Sequence, residues 1–328
     1  MGSSPANYIL LKQTNWREGV FMNKQSDFCY GGQAVIEGVM MRGRNYLAVA
    51  VRKSNGEIVV KKEPVGSITK KLPFLKWPFL RGVVALCESF TVGLRALLFS
   101  ADQFLEEEEE SKLSPWESFL MIGSALVMTV LLFIVLPLLG RMLFKKFLPD
   151  DLFWGNLFES LLRFVILIAY IGSVSFLKDI RRVFSYHGAE HKVINTFEAK
   201  KEITVANASG YTTFHPRCGT SFLLYVVVVS AIVFSFLRYD SILMRLISRI
   251  VLLPVVTGIS YEIIKFTGKH RDFFLWRWLA LPGVWLQRMT TREPDESQLE
   301  VAINALEAVL EEDAPVIVGG KAYVNSEV

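Results

Sequence analysis

Phe119-Leu-Met-Ile-Gly-Ser-Ala-Leu-Val-Met-Thr-Val-Leu-Leu-Phe-Ile-Val-Leu-Pro-Leu-Leu-Gly140 contains no charged residue. Wound as a helix at 1.5 Å per residue, such a run is long enough to cross the roughly 30 Å hydrocarbon core of a bilayer. Three further runs read the same way: about Leu161 to Leu177, Ser221 to Leu237, and about Ile242 to Ser260. Arg163 opens the second near one end, where a long side chain can snorkel. Arg245 and Arg249 stand at the start of the last, and Pro254 falls at mid-depth, which membrane helices tolerate when neighbours satisfy the freed carbonyl. With 52% hydrophobic residues among 328 and a mean hydropathy of +0.35, the chain reads as mainly α. The expected architecture is a polytopic helical membrane protein of about four transmembrane helices plus interfacial helices, with a small cytosolic β-containing N-terminal unit.

Orientation follows from Lys and Arg. The stretch 178–220 carries Lys178, Arg181, Arg182, Lys192, Lys200, Lys201 and Arg217, against Arg141, Lys145 and Lys146 in 141–156 and Arg238 alone in the turn near Asp240. This places both termini and the 178–220 segment in the cytoplasm. The net charge of +4 is then explained by positive-inside bias and calls for no sequence-specific nucleic-acid partner. Cys29, Cys87 and Cys218 are scattered and odd in number, which argues against a disulfide framework.

Working outward, residues 1–21 look unlike the rest. Arg17-Glu-Gly-Val-Phe21 before Met22 reads as a translated purine-rich ribosome-binding site. Met22 is the expected start, which the intact mass of protein made from the native gene would test. The unit over 22–76 contains the glycine-spaced run Gly31 to Gly43. Strands at Tyr46 to Arg52 and Glu57 to Lys61 follow, joined through Asn55-Gly56, a hairpin signal. Over 77–116 an interfacial helix, about Leu80 to Leu98, carries Arg81, Glu88 and Arg95 as one polar stripe and leads to the acidic run Glu106 to Glu110. Such a helix lies on the bilayer or packs its stripe inward, and the interfacial placement is the expectation because burying three charges is costly. The four-span domain occupies 117–264. Interfacial and C-terminal helices occupy 265–328, where Leu299, Ile303, Leu306 and Leu310 form an apolar stripe that docks on the cytosolic unit or on a partner.

The chemistry concentrates in 178–220. His187-Gly-Ala-Glu190-His191 puts two imidazoles on one helix face, and His215-Pro-Arg-Cys218 offers two more donors from a turn. Imidazole nitrogen and thiolate sulfur are the usual ligands of Zn²⁺. The expected metal set is therefore His187, His191, His215 and Cys218, against the plainer reading of histidines satisfied in a polar network. Four protein ligands would close a tetrahedral site; three would leave a position open. Glu190 stands in the order His-x-x-Glu-His found in inverzincin proteases, where a carboxylate serves as general base. Its plainer role is to orient a neighbouring histidine. Glu37 and Arg42 could reach the metal loop or simply form an ion pair. Glu262 is a further ligand candidate or pairs with Lys265 or Arg271, and His270 reads as a surface or headgroup contact. The run 31–43 lacks Gly-Lys-Ser/Thr and is no phosphate-binding loop. The lysines at 61, 62, 70, 71 and 76 are explained by anionic lipid more cheaply than by ribosomal RNA.

Gly31 to Gly43, Tyr186-His-Gly-Ala-Glu-His-Lys192, His215-Pro-Arg-Cys-Gly-Thr-Ser-Phe222 and Thr291-Arg-Glu-Pro-Asp295 resemble the YqhQ-like family of bacterial membrane proteins over about residues 28 to 312. The resemblance implies a domain of unknown function catalogued as predicted metal-dependent enzymes. It implies a bacterial inner-membrane setting and points to the same His187, Glu190, His191, His215 and Cys218, without a substrate. The functional expectation is a zinc-dependent hydrolase at the cytosolic membrane face, with Glu190 as base. The alternative is a zinc-structured scaffold docking a membrane or ribosome-associated partner, such as the protein-insertion machinery. A transporter is disfavoured because the spans hold few ionisable residues near mid-depth.

Overall fold

Val39-Met-Met41 and Leu47-Ala-Val-Ala-Val51 are apolar at consecutive positions, and strands of that kind need cover on both faces of a sheet. The computed structural model supplies it. It describes residues 30–313 apart from 67, 69–71, 78–79, 108–113, 150, 238–240 and 270–273, together with strands at 316–318 and 321–323. The expected start at Met22, the end of the acidic run and His270 lie outside the described residues.

Strands β1 (Gly31–Val35), β2 (Gly38–Arg42), β3 (Tyr46–Arg52) and β4 (Ile58–Pro64) form an antiparallel sheet in the order β1-β2-β3-β4. The β3–β4 turn is built as its Asn-Gly signal predicts: Gly56 takes φ 87° and the Asn55 side chain accepts from the Glu57 N–H. One face, with Val39, Met41, Ala48 and Ala50, packs on the last long helix through Leu299, Ala302, Leu306 and Val309. That helix is Glu296–Asp313, so its apolar stripe docks on the sheet. Leu306 is fully buried there, and burying a leucine side chain contributes about 2 kcal/mol. The opposite face, with Val35, Met40, Leu47, Val49 and Val51, packs at Ala96 on the helix Leu80–Glu107, α1.

Helix α1 (Leu80–Glu107) runs longer than expected. Leu80–Phe104 is apolar and long enough to cross a membrane. Two residues of its polar stripe pair with protein groups, while Arg95 is exposed: Arg81 reaches Glu262 at 2.7 and 2.5 Å, and Glu88 accepts from the Ile68 N–H and from Arg42. Leu86 and Phe90 stay exposed. Pairing with protein partners lowers the cost that burying Arg81 and Glu88 would carry.

Helix α2 (Pro115–Val130) starts from a Ser114–Glu117 capping box and passes through a π turn, Leu131–Val135, into α3 (Leu136–Leu143). Pro137 has no N–H to give the carbonyl four residues back, that of Phe133. The freed oxygen accepts from Arg163 Nε at 2.9 Å. Arg163, on α4 (Leu152–Val174), therefore does not snorkel; it is buried and paired with Glu159. After α4 come α5 (Lys178–Glu198), α6 (Val205–Ser209) and α7 (Gly219–Ser235). The last expected span is two helices, α8 (Ile242–Val251) and α9 (Leu253–Lys269), bent by 41°. Pro254 explains the break, since its ring and missing N–H prevent α8 from continuing. Helix α10 is Phe274–Thr290, and the helix docked on the sheet is α11. Trp116–Leu143 and Phe153–Val174 join Leu80–Phe104 as helices long enough to cross a membrane, the bent α8–α9 pair is a fourth if counted as one span, and α7 is shorter. The chain is thus mainly α with an N-terminal antiparallel β unit.

Candidate metal centre

The 178–220 segment is largely helical, and α5 carries His187, Glu190, His191 and Lys192. The four-residue spacing brings the two imidazole centroids within 4.4 Å. Each ring is held by a backbone carbonyl at Nδ1, His187 by Thr290 at 2.8 Å and His191 by Thr213 at 2.6 Å. Donating Nδ1–H to a carbonyl fixes the tautomer that leaves Nε2 as the lone-pair donor, the arrangement that orients metal-binding histidines. His187 Nε2 lies 3.1 Å from Cys218 Sγ. Cys218 is the N-cap of α7, and the Thr220 N–H and hydroxyl both face its sulfur. A helix N-terminus accommodates an anionic ligand atom.

One donor atom each from His187, His191 and Cys218 lies within 4.8 Å of the others. Bonds of about 2.0–2.1 Å to nitrogen and 2.3 Å to sulfur set tetrahedral donors about 3–4 Å apart. Small side-chain rotations bridge the difference, so the residues fit a zinc ion. His215 stands beside this triad, not in it. Its ring centroid is 5.8 Å from that of His191, and its Nε2 lies 3.5 Å from Glu198 Oε2. Glu198 also pairs with Arg217.

Glu190 is buried, accepts from the Gly32 N–H at 2.9 Å through Oε1, and brings Oε2 to 3.4 Å from His191 Nε2. Only glycine fits at 32. A Cβ there would meet the Met40 carbonyl at 2.3 Å and Glu190 Cγ at 3.0 Å. Gly188 serves the same end on the other side, where a Cβ would fall 2.0 Å from the Arg292 carbonyl. The Arg292 N–H donates to the Phe184 carbonyl at 2.9 Å, so the Thr291–Asp295 stretch crosses α5 in contact with its backbone. The glycine run of β1, the histidine helix, the His-Pro-Arg-Cys turn and the segment after α10 thereby meet at one place.

The other expected residues are occupied elsewhere. Glu37, at φ 50° in the β1–β2 turn, pairs with Arg182 and accepts from the Tyr186 hydroxyl at 3.3 Å. Burial, reinforced by the Glu37 charge, pushes that hydroxyl well above the usual phenol range and keeps it a donor. Arg42 pairs with Glu88 at 3.5 Å and Glu262 with Arg81, neither touching the triad. Glu262 thus pairs with Arg81, and the expected partner Arg271 lies outside the described residues. Lys62 reaches Glu311 and Glu312.

Gln287 on α10 escaped the sequence reading. It is fully buried and clamps the backbone of His215 twice, accepting its N–H and donating to its carbonyl, both at 2.8 Å. A lone amide in the apolar stretch Val284 to Met289, flanked by Arg288, was the available signal. Gln287→Leu is expected to lower stability by about 1–3 kcal/mol for each backbone group left unpaired. A thermal melt of the purified protein measures it, and an unchanged midpoint would mean the turn holds itself.

The described segments that meet at the triad lie within a region shared with known proteins. A family model described as "Protein of unknown function (DUF1385)" matches residues 77–312. "Uncharacterized protein YqhQ" of Bacillus subtilis (strain 168) is 38% identical over 301 residues, covering 87% of this chain and 93% of that protein. No solved structure matches. By the extent of both similarities, the chain belongs to the DUF1385 family, alongside YqhQ.

Proposed function

We propose that this is a bacterial plasma-membrane protein whose His187–His191–Cys218 triad binds Zn²⁺ and serves as a hydrolytic centre at the cytosolic face. Three to four apolar helices of sufficient length support a membrane setting. The basic side chains of 178–217 support a cytosolic location for the triad. The observation that carries the reading is the pairing of two carbonyl-oriented imidazoles and a cysteine sulfur with a carboxylate 3.4 Å from one of the Nε2 atoms. Zinc held there would supply Lewis-acid polarisation of a carbonyl or phosphoryl oxygen. Three protein donors leave a fourth position, and His215 is turned to Glu198. Glu190 has one oxygen fixed by Gly32 and the other facing the triad, the orientation a general base needs to take a proton from an incoming water.

Burial favours a second reading. His191 and Cys218 are both buried, and the triad ties α5, the turn before α7 and the end of α10 together. A closed zinc there would staple a scaffold that presents its basic surface to a membrane partner. Cobalt substitution separates the two. In the hydrolytic reading, acetohydroxamate shifts the visible spectrum of the Co²⁺ protein, and Glu190→Gln retains metal while losing hydrolysis by about 100-fold or more. A spectrum indifferent to hydroxamate would overturn the hydrolytic reading in favour of the staple.

A further inference from the structure

Helix α7, capped by Cys218, runs 17 residues to Ser235, about 25 Å from the triad. A second charged cluster surrounds that far end. Glu159 of α4, 1% exposed, accepts from Arg163 at 3.0 Å and from Arg249 Nε and Nη2 at 3.1 Å each, with Arg141 Nη1 at 3.8 Å. Arg141, Arg163 and Arg249 are only 8%, 7% and 4% exposed. A guanidinium does not shed its proton in a protein. Among the described residues, three fixed positive charges therefore share one carboxylate, and two have no counter-charge in the cluster.

The neutral partners are already committed. Arg163 donates to the Phe133 carbonyl and to Ser230, and Arg141 to Asn156. The Asn156 amide is spent on the Phe234 and Leu237 carbonyls at the end of α7. Arg249 stacks on the Phe234 ring at 4.2 Å, yet its Nη1 is buried with no hydrogen-bond partner. An unmatched buried charge with an unused donor is costly unless something anionic completes it. Planar guanidinium groups match phosphate oxygens in fork geometry. Leu143, Phe147 and Phe236, near the same helix ends, are exposed at 77%, 81% and 79%, an apolar rim suited to acyl chains.

We propose that Arg141, Arg163 and Arg249, organised by Glu159, form a binding site for a phosphate-bearing anion at the end of the helical core remote from the metal triad. The group is either the headgroup of an anionic phospholipid or free phosphate. The test uses full-length protein, delipidated in zwitterionic detergent. Its melting temperature is followed while phosphatidylglycerol, phosphatidylcholine or inorganic phosphate is titrated, for wild type, Arg249→Gln and Arg141→Gln. A saturable rise of about 5 °C with phosphatidylglycerol, absent with phosphatidylcholine, is the expected result. Arg249→Gln should raise the half-saturating concentration about tenfold or more. The same shift with inorganic phosphate alone would support the site with a soluble anion as its source. No shift from either anion in wild type, or an equal shift from phosphatidylcholine, overturns the proposal. An unchanged titration in Arg249→Gln does so too. Should that variant not accumulate, the wild-type titration and Arg141→Gln, whose side chain is the most exposed of the three, decide the matter.

Discussion

His191→Ala protein is expected to purify with almost no metal, while His215→Ala retains about one equivalent. The contrast rests on ring orientation. His191 is held at Nδ1 by the Thr213 carbonyl and groups with His187 and Cys218. The His215 ring is directed at Glu198, and its place in the structure is secured through its backbone by Gln287. Metal analysis of detergent-purified wild type and both variants makes the comparison. Metal ligation supplies a large share of folding free energy in small sites, so His191→Ala or chelation should also lower the melting temperature, by roughly 10 °C. Equal loss of metal in both variants would mean that His215 swings in as a fourth ligand and closes the site, which removes the position that hydrolysis requires. Metal-free wild-type protein, even after reconstitution with zinc, would leave the histidines as members of a polar network.

Glu159→Ala is expected to cost about 3–5 kcal/mol, enough to keep most of the protein from accumulating in folded form. Among the described residues the glutamate is the one carboxylate that Arg141, Arg163 and Arg249 share, and alanine would strand three buried guanidinium groups at once. Glu159→Gln keeps an acceptor oxygen for Arg163 and Arg249 and should fall between alanine and wild type. Gel-filtration profiles and melting curves of the three proteins test the order. Indistinguishable behaviour of Glu159→Ala would show that the arginines find their compensation outside the carboxylate.

Much of the helical architecture is written in local pattern. The uncharged run Phe119 to Gly140, the Asn55-Gly56 turn and the stripe Leu299, Ile303, Leu306, Leu310 each act through neighbours a few residues away, and each reads correctly. The partners of the α1 stripe and of Arg163 are not legible in this way. The cost of burying a charge depends on its partner, and the partners, Glu262 and Arg42 for the α1 stripe and the Phe133 carbonyl and Arg249-bound Glu159 for Arg163, come from distant parts of the chain.

The same division holds at the triad. Sequence by itself determined that His187 and His191 share a helix face, because 3.6 residues per turn leaves no alternative within one helix. It also determined which residue types were competent to hold a metal. Tertiary structure alone brought Cys218 beside both imidazoles, set His215 against Glu198, and held Glu190 by Gly32, 158 residues away. It alone set the ring tautomers through the Thr213 and Thr290 carbonyls. Those choices turn on hydrogen-bond directions and contacts shorter than a side chain, and no spacing along the chain encodes a distance between segments that meet only when the sheet, α5 and α10 pack together.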